Sequence, residues 1–189
     1  MNLPVQNWQF TVDDFHRMVE VGILREDDRV ELLQGVIFRM SPIGSRHNAC
    51  IARINSQLQR LLGDSAILMI QSSFRLAGDS EPQPDVLILR PREDFYEDSL
   101  PTPVDVYLLI EVADSTVEFD RNVKLPLYAK AGVVEYWLVD LPSGQIETYC
   151  DPVGNAYQTT ASYDLDDGLS PLSFPQLSIR VDEIIRERK

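Results

Sequence analysis

The chain has 189 residues, 44% of them hydrophobic, which is enough for one domain with its own core. Its formal net charge is −13, whereas a protein that grips duplex DNA over a broad surface is expected to be basic. A nucleic-acid function would therefore depend on a local cleft, on metal ions or on a second subunit. The alternative is that the acidic balance serves solubility alone.

The sequence also argues against a membrane-spanning protein and against a small disulfide-rich protein. No apolar run approaches the length needed to span a bilayer, and the start MNLPVQNWQF lacks the layout of a signal peptide. Cys50 and Cys150 are too few and too far apart for a disulfide framework or a thiolate metal site. We therefore expect a cytoplasmic protein in a reducing compartment, with no membrane partner.

The first predicted elements are a short helix and a hairpin. In TVDDFHRMVEVG, Thr11 can cap the helix, Asp14 follows three residues later, and Gly22 ends it. The segment RVELLQGVIFRMSP predicts two strands around a Gln34-Gly35 turn. These strands are Val30–Leu33 and Val36–Met40.

The segment SRHNACIARINSQLQRLLG predicts an amphipathic helix, with Ser45 as its cap and Gly63 at its end. One stripe of this helix is apolar: Ile51, Ile54, Leu58, Leu61 and Leu62. Four predicted strands follow: Ala66–Ile70, Ser73–Leu76, Asp85–Leu89 and Val106–Val112. The loop between the last two is polar and contains prolines.

The segment FDRNVKLPLYAKAG predicts a third helix that Gly132 ends. Pro126 is tolerated only in a first turn, where backbone amides lack helical partners. This places the start near Asn122 or Val123, with Asp120 or Asn122 as the cap.

The remaining chain predicts a strand in VEYWLVDL that pairs with QIETYC, then short strands and turns, and a weak amphipathic helix in VDEIIRERK. The order of elements predicts a mixed α/β sheet with helices packed on it, in one domain over residues 1–189.

Two carboxylates mark the ends of apolar strands. Asp85 introduces one strand and Glu111 lies near the end of the next. If the strands are neighbours, these oxygen ligands meet at one edge of the sheet and suit Mg²⁺ or Mn²⁺. Lys124 and Tyr128 are four residues apart and would share a helix face nearby. A lysine in that place can orient water or neutralise charge on a phosphate.

The strings QPDVLIL, LLIEVADSTVEFDRNVKLPLYAKAGVVEYWLVDL and VELLQGVIFRMSPIGSRH closely resemble the Uma2 (Uma-two) family of endonucleases. That family belongs to the PD-(D/E)xK restriction-endonuclease-like superfamily. The resemblance covers about residues 10–160, with C-terminal strands and a short helix over 161–189. It implies a restriction-endonuclease-like fold, in which helices flank a mixed central β-sheet.

The resemblance also implies roles. Asp85 would be the acid of the PD element and Glu111 the acid of the (D/E)xK element. Ala113 stands where the superfamily usually has its lysine, and Lys124 on the following helix would replace it. Glu31 matches the acid of the family's first strand, as a further ligand or as the base that orients water.

The implied function is a metal-dependent endonuclease that hydrolyses DNA. Asp85 and Glu111 would bind Mg²⁺ or Mn²⁺, and water positioned by Lys124 or Glu31 would attack phosphorus in line. Two alternatives stay open: an inactive binding or regulatory module, and a phosphodiesterase acting on RNA or nucleotides. Many nucleases of this fold cut two strands with two subunits, so a homodimer is a further open alternative.

The candidate substrate-binding residues are His47, Arg46 and Tyr128, and Asp120 is a secondary candidate. Each candidate also has a structural alternative. Asp85 could be a turn acid, Glu111 could pair only with Lys124, and Lys124 could be a solvated helix residue. Asp120 could be a helix cap, Tyr128 could pack in the core, and His47 could have a structural role only. A basic stripe favouring nucleic acid would use Arg46, Arg53, Arg60, Arg75 and Lys124.

Overall fold

The computed structural model describes residues 7–25 and 27–186. The helices are α1 (Val12–Glu20), α2 (Ser45–Leu62), α3 (Val117–Phe119), α4 (Leu125–Ala131) and α5 (Val181–Ile184), with a π-helical turn (Asp120–Lys124) joining α3 to α4. The strands are β1 (Val30–Leu33), β2 (Val36–Arg39), β3 (Ile67–Ile70), β4 (Val86–Leu89), β5 (Val106–Ala113), β6 (Glu135–Asp140), β7 (Gln145–Val153), β8 (Ala156–Tyr163), β9 (Gly168–Leu169) and β10 (Ile179–Arg180).

The central sheet has six strands in the order β3-β4-β5-β6-β7-β8. β5 and β6 run parallel, and every other pair of neighbours in this sheet is antiparallel. β1 pairs with β2, and β9 with β10, in two small antiparallel ladders. The mixed sheet flanked by helices confirms the predicted fold class.

Both faces of the central sheet are covered. On one face α2 packs against Ile88, Ile110 and Trp137. On the other face α4 contributes Tyr128 to a cluster that contains Tyr136. This two-sided burial explains why the sequences of β4, β5 and β6 are almost continuously apolar rather than alternating.

The β1–β2 hairpin packs against α1 rather than joining the central sheet. Its turn residues Gln34 and Gly35 both have positive φ angles, 50° and 74°, as a two-residue hairpin turn requires. Gly35 is needed for space as well, because an added Cβ would lie 2.5 Å from the Cβ of Gln9. The predicted cap of α1 is confirmed, since Thr11 and Asp14 form a reciprocal capping box.

Two local predictions are wrong. Ser73–Leu76 is not a strand, although Phe74 donates its amide to the Pro82 carbonyl. Pro82 and Pro84 in the facing segment lack amide hydrogens, so a regular ladder cannot form there. Ser45 does not cap α2 either, because Gly44 is the N-cap and Ser45 is already helical.

The third helix begins earlier than predicted, at Val117 instead of near Asn122. It continues through the π turn, where Leu125 donates its amide to the carbonyl of Asp120, five residues back. A proline ring clashes with the carbonyl four residues earlier in an α-helix, and the wider turn relieves this clash at Pro126. The predicted capping role of Asp120 or Asn122 is therefore wrong.

In the C-terminal region one strand is longer than predicted and the terminal helix is shorter than predicted. β8 has eight residues and forms the edge of the central sheet, whereas only short strands were expected. The predicted terminal helix is reduced to the four residues of α5, and residues 187–189 of that prediction lie outside the described residues. Among the helices described, none has the length and apolar character needed to cross a membrane.

Candidate active site

The strand order brings Asp85 and Glu111 to the same edge of the sheet. β4 and β5 are antiparallel neighbours, and Val86 lies opposite Ile110. The Asp85 carboxylate then reaches across to β5, where its Oδ2 accepts the amide of Val112 at 2.9 Å. Asp85 and Glu111 are only 7% and 4% exposed, so these carboxylates lie inside the protein, not in a solvated turn.

A cavity of about 710 Å³ opens beside these two acids. Its walls come from the β1–β2 hairpin, the start of α2, the ends of β4 and β5, and the π turn. Among its lining residues are Glu31, His47, Asp85, Glu111, Asp120 and Lys124. The structure therefore brings every predicted site residue into one cavity except Arg46 and Tyr128.

Lys124 is the central cation of this cavity. Its Nζ lies 3.0 Å from Oε1 of Glu111, 3.2 Å from Oε2 of Glu31 and 4.0 Å from Oδ1 of Asp120. Burial lowers the pKa of Lys124, but the charges of Glu111, Glu31 and Asp120 together raise it above its ordinary value. Lys124 is thus a buried ammonium, and the alternative of a solvated helix residue is wrong.

Glu111 has two donors on one oxygen. Its Oε1 accepts both Lys124 Nζ and the hydroxyl of Tyr128, which lies at 2.6 Å. Within residues 7–25 and 27–186, no hydrogen-bond donor reaches Oε2 of Glu111, which leaves that oxygen for a ligand in the cavity. Burial raises the pKa of Glu111 to about 8, although Lys124 opposes the shift.

Asp120 and Glu31 complete the carboxylate cluster. Asp120 lies in the π turn and accepts the hydroxyl of Thr116 at 2.7 Å, and burial raises its pKa to about 6. Glu31 extends from β1 and accepts the amide of Gln83 at 3.3 Å. The hairpin and the π turn therefore each bring a carboxylate to Lys124 from outside the central sheet.

His47 forms a hydrogen bond with the carboxylate of Asp85. Its Nε2 lies 3.0 Å from Asp85 Oδ2, and Gln71 donates to Asp85 Oδ1 at 3.2 Å. Burial lowers the pKa of His47, but the hydrogen bond and the charge of Asp85 outweigh this and raise it overall. The Nδ1 atom of His47 is buried and has no hydrogen-bond partner among the described residues.

The cavity offers carboxylate oxygens, the type of ligand that Mg²⁺ and Mn²⁺ prefer. In the part of the chain that the structure describes, no group of three or more His, Cys, Asp or Glu side chains has a geometry that could hold a metal. Mg²⁺ usually takes only one or two protein carboxylates and completes its shell with water and phosphate oxygens. Asp85 and Glu111 supply that number of hard oxygen ligands, and the carboxylates of the cavity outnumber its buried cation. The residues present fit Mg²⁺ or Mn²⁺.

Two predicted substrate-binding residues do not face the cavity. Arg46 is held by Asp114 at 3.4 Å and by the carbonyl of Leu141 at 2.6 Å. Tyr128 is 0% exposed, so it orients Glu111 from within the core and cannot touch a substrate. The remaining arginines of the predicted stripe do not line the cavity either. Arg53 donates to the Ile184 carbonyl, Arg60 donates to the side chain of Gln57, and Arg75 pairs with Asp13.

Several residues that line the cavity were not predicted from the sequence, among them Arg29, Phe38, Arg39 and Phe119. The signal for Phe38 was available. Glu31 and Phe38 are equally far from the Gln34-Gly35 turn, and they are paired across the β1–β2 ladder. Directly opposed residues in a ladder point to the same face, so a Glu31 in the site implies a Phe38 beside it.

Comparisons with known proteins show the family and the fold of the chain. A model of the Uma2 family, described as "Putative restriction endonuclease", matches residues 12–182. None of the curated proteins matches the chain. A solved structure described as a "putative nuclease belonging to DUF820", from Anabaena variabilis, is 20% identical with a TM-score of 0.71, over 93% of this chain and 97% of the other.

The type IIG restriction endonuclease BpuSI is a more distant structural match, 14% identical with a TM-score of 0.37, over 59% of this chain and 13% of the other. The Anabaena structure shows the same fold, and it covers nearly the full length of both chains. Since the family model spans most of the sequence from α1 to α5, the chain belongs to the Uma2 family.

Proposed function

We propose that this protein is a Mg²⁺- or Mn²⁺-dependent endonuclease that hydrolyses phosphodiester bonds of DNA. The observation that carries the proposal is the meeting of Asp85 and Glu111 on adjacent strands, in a cavity where Lys124 lies beside Glu111. Membership of a restriction endonuclease family supports a nuclease. A deep local cavity also agrees with a net charge of −13, because it needs no broad basic surface.

Asp85 and Glu111 are the proposed metal ligands. The divalent ion, when bound, would offset the negative charge of the scissile phosphate and make water a better nucleophile. His47 and the amide of Val112 hold Asp85 in place through hydrogen bonds of 3.0 Å and 2.9 Å. Tyr128 holds Glu111 from the opposite side of the cavity wall. Such support from behind keeps ligand oxygens aimed at one point.

Lys124 and Glu31 are proposed to act on the scissile phosphate and on the attacking water, respectively. The Lys124 ammonium can donate a hydrogen bond to a phosphate oxygen and stabilise the charge that develops there. Glu31 can accept a proton from the attacking water, since it lines the cavity on the side of the hairpin. Lys124 contacts both Glu31 and Glu111, so it also holds these two acids at a fixed separation.

Calorimetric titration with MnCl₂ and MgCl₂, followed by cleavage assays on plasmid DNA and on circular single-stranded DNA, tests the proposal. Wild type should bind the ion and cut at least one of these two DNAs, and Asp85→Asn and Glu111→Gln should lose both properties. Glu135→Gln is the matched control, because Glu135 is a buried carboxylate that does not line the cavity. Cleavage at wild-type rates by Glu111→Gln would refute the assignment.

A binding module without cleavage is the second candidate. It is favoured by the ion pairs of Lys124, which already neutralise part of the charge that a metal would neutralise. In that case wild type would bind neither Mn²⁺ nor Mg²⁺ with DNA present, and it would leave both the plasmid and the single-stranded circle intact. Ion binding that is lost in both Asp85→Asn and Glu111→Gln would exclude this candidate.

A further inference from the structure

Phe38 and Phe119 form an aromatic pair on the wall of the cavity. Their ring centroids are 5.3 Å apart and their planes are tilted by 59°. Both side chains are only partly buried, and both line the cavity that contains the carboxylates. An aromatic pair that closes a core would be covered by other residues, whereas this aromatic pair keeps ring surface open to a ligand.

The aromatic pair lies next to the proposed reacting groups. Phe38 is opposite Glu31 in the β1–β2 ladder, so the two side chains are neighbours on one face of the hairpin. Phe119 directly precedes Asp120, whose carboxylate lies 4.0 Å from Lys124 Nζ. A flat group stacked on either ring would therefore lie in the same cavity as the carboxylate cluster.

Two arginines of the hairpin accompany the aromatic rings. Arg39 follows Phe38 and is exposed, and Arg29 is half-buried and donates to the Ser41 carbonyl at 3.5 Å. Both line the same cavity. Cationic side chains that alternate with aromatic rings are typical of sites that hold single-stranded nucleic acid, where each base stacks and each phosphate is paired.

The arginines outside the cavity do not favour binding of duplex DNA. Arg46, Arg53 and Arg75 are held by other parts of the protein and do not extend the charge of Arg29 and Arg39 along a groove. In a duplex each base is also stacked on its neighbours, so a ring on the protein can reach its face only after unpairing.

We propose that the aromatic pair is a base-stacking platform and that the substrate is single-stranded DNA, whose unpaired base stacks on the face of one phenylalanine ring and contacts the edge of the other. The proposal rests on the proposed nuclease function and specifies its substrate. Arg29 and Arg39 neutralise the phosphates that flank the stacked base. The adjacent phosphate then reaches Lys124 and the two proposed metal ligands.

Fluorescence anisotropy with a 12-nucleotide DNA, as a single strand and as a duplex of the same sequence, tests the platform. Ca²⁺ replaces Mg²⁺ in this assay, because it takes the same kind of oxygen ligands. Wild type should bind the single strand about tenfold more tightly than the duplex. Phe38→Leu and Phe119→Leu should each weaken single-strand binding by about tenfold, because base stacking is lost while apolar volume is kept.

Two further variants separate stacking from packing. Phe38→Tyr retains an aromatic face and should bind as wild type does. Phe95→Leu is the matched control, because Phe95 is 69% exposed and does not line the cavity. Thermal melting of each variant shows whether it is folded.

Equal binding of single strand and duplex, or wild-type binding by both cavity leucine variants, would overturn the platform while plasmid cleavage could still support a nuclease. Conversely, leucine-sensitive binding of single strands without any cleavage would support the platform and contradict the nuclease. A tenfold preference for RNA of the same sequence would refute DNA as the substrate. Absence of binding to every probe would remove both proposals.

Discussion

The hydroxyl of Tyr128 donates to Oε1 of Glu111 at 2.6 Å, and Lys124 Nζ contacts the same oxygen at 3.0 Å. Two donors on one carboxylate oxygen fix the rotation of the carboxyl group and direct Oε2 towards the cavity. The completely buried tyrosine therefore contributes to the site through Glu111, without touching a substrate.

Tyr128→Phe should lower the free energy of unfolding by about 2 kcal/mol, because a buried hydrogen bond to an acidic group is lost. It should also weaken Mn²⁺ binding by about tenfold, since Glu111 is then held by Lys124 alone. Urea unfolding and calorimetric titration measure the two effects. The matched control is Tyr136→Phe, because the hydroxyl of Tyr136 is buried and has no hydrogen-bond partner among the described residues.

Removal of the Tyr136 hydroxyl should be neutral or slightly stabilising, since an unsatisfied buried group disappears. If Tyr136→Phe destabilises the protein as much as Tyr128→Phe does, the effect of Tyr128 is one of packing and not of the bond to Glu111.

Lys124→Met should destabilise the folded state by about 3–5 kcal/mol at neutral pH, because it leaves Glu111, Glu31 and Asp120 without their buried cation. MnCl₂ should recover more stability in this variant than in wild type, since a bound ion supplies the missing positive charge. Urea unfolding with and without MnCl₂ measures both quantities. Wild-type stability of Lys124→Met in metal-free buffer would contradict the central role of this lysine.

Glu135 should make the stability depend on pH. Burial raises its pKa from 4.5 to about 7, although it accepts hydrogen bonds from the Leu172 amide and the Trp137 indole. The folded state therefore holds the proton more tightly than the unfolded state. The resulting stability is complete below pH 4.5 and is lost as the pH rises through about 7.

The difference between these pKa values corresponds to at most about 3 kcal/mol. Compared with wild type, Glu135→Gln should become relatively more stable by up to this amount between pH 4.5 and pH 8, because glutamine does not ionise. Urea unfolding of both proteins across this interval isolates Glu135 from the other titrating groups. A constant difference between the two proteins would show that Glu135 does not titrate in this range.

Gly35→Ala should destabilise the β1–β2 hairpin by about 2–3 kcal/mol, the sum of a strained positive φ and a steric overlap with Gln9. The control is Gly144→Ala, whose φ of +76° is similar but whose added Cβ would meet no atom within 4 Å. It should lose only about 1 kcal/mol. Thermal unfolding compares the two, and equal losses would show that the Gln9 contact relaxes without penalty.

The sequence was sufficient to predict the fold class and the carboxylates at the site. Asp85 and Glu111 each mark the end of an apolar strand, and consecutive antiparallel strands bring such ends together. Glu31 was predicted through the family resemblance and Lys124 from its helix position as well as the resemblance, and the structure places both in the same cavity. Their chemical roles stay predictions.

Side-chain depth and direction could not be predicted from spacing. Lys124 and Tyr128 share a helix face as expected, but the packing of α4 on the sheet buries Tyr128 below the cavity. The direction of Arg46 depends on how α2 is rotated relative to the Leu141 carbonyl, which no local pattern encodes. The start of the third helix was missed because Pro126 was assumed to require a first turn, not a π turn.

The π turn also sets the phase of the helix on its two sides. It contains one residue more than an α-helical turn, so the helical face before it is displaced by about 100° relative to the face after it. Phe119 and Asp120 can thus line the cavity while Tyr128 packs on the sheet. Deleting one residue from the turn would rotate Phe119 out of the cavity, and it would return Pro126 to a backbone that cannot accept it.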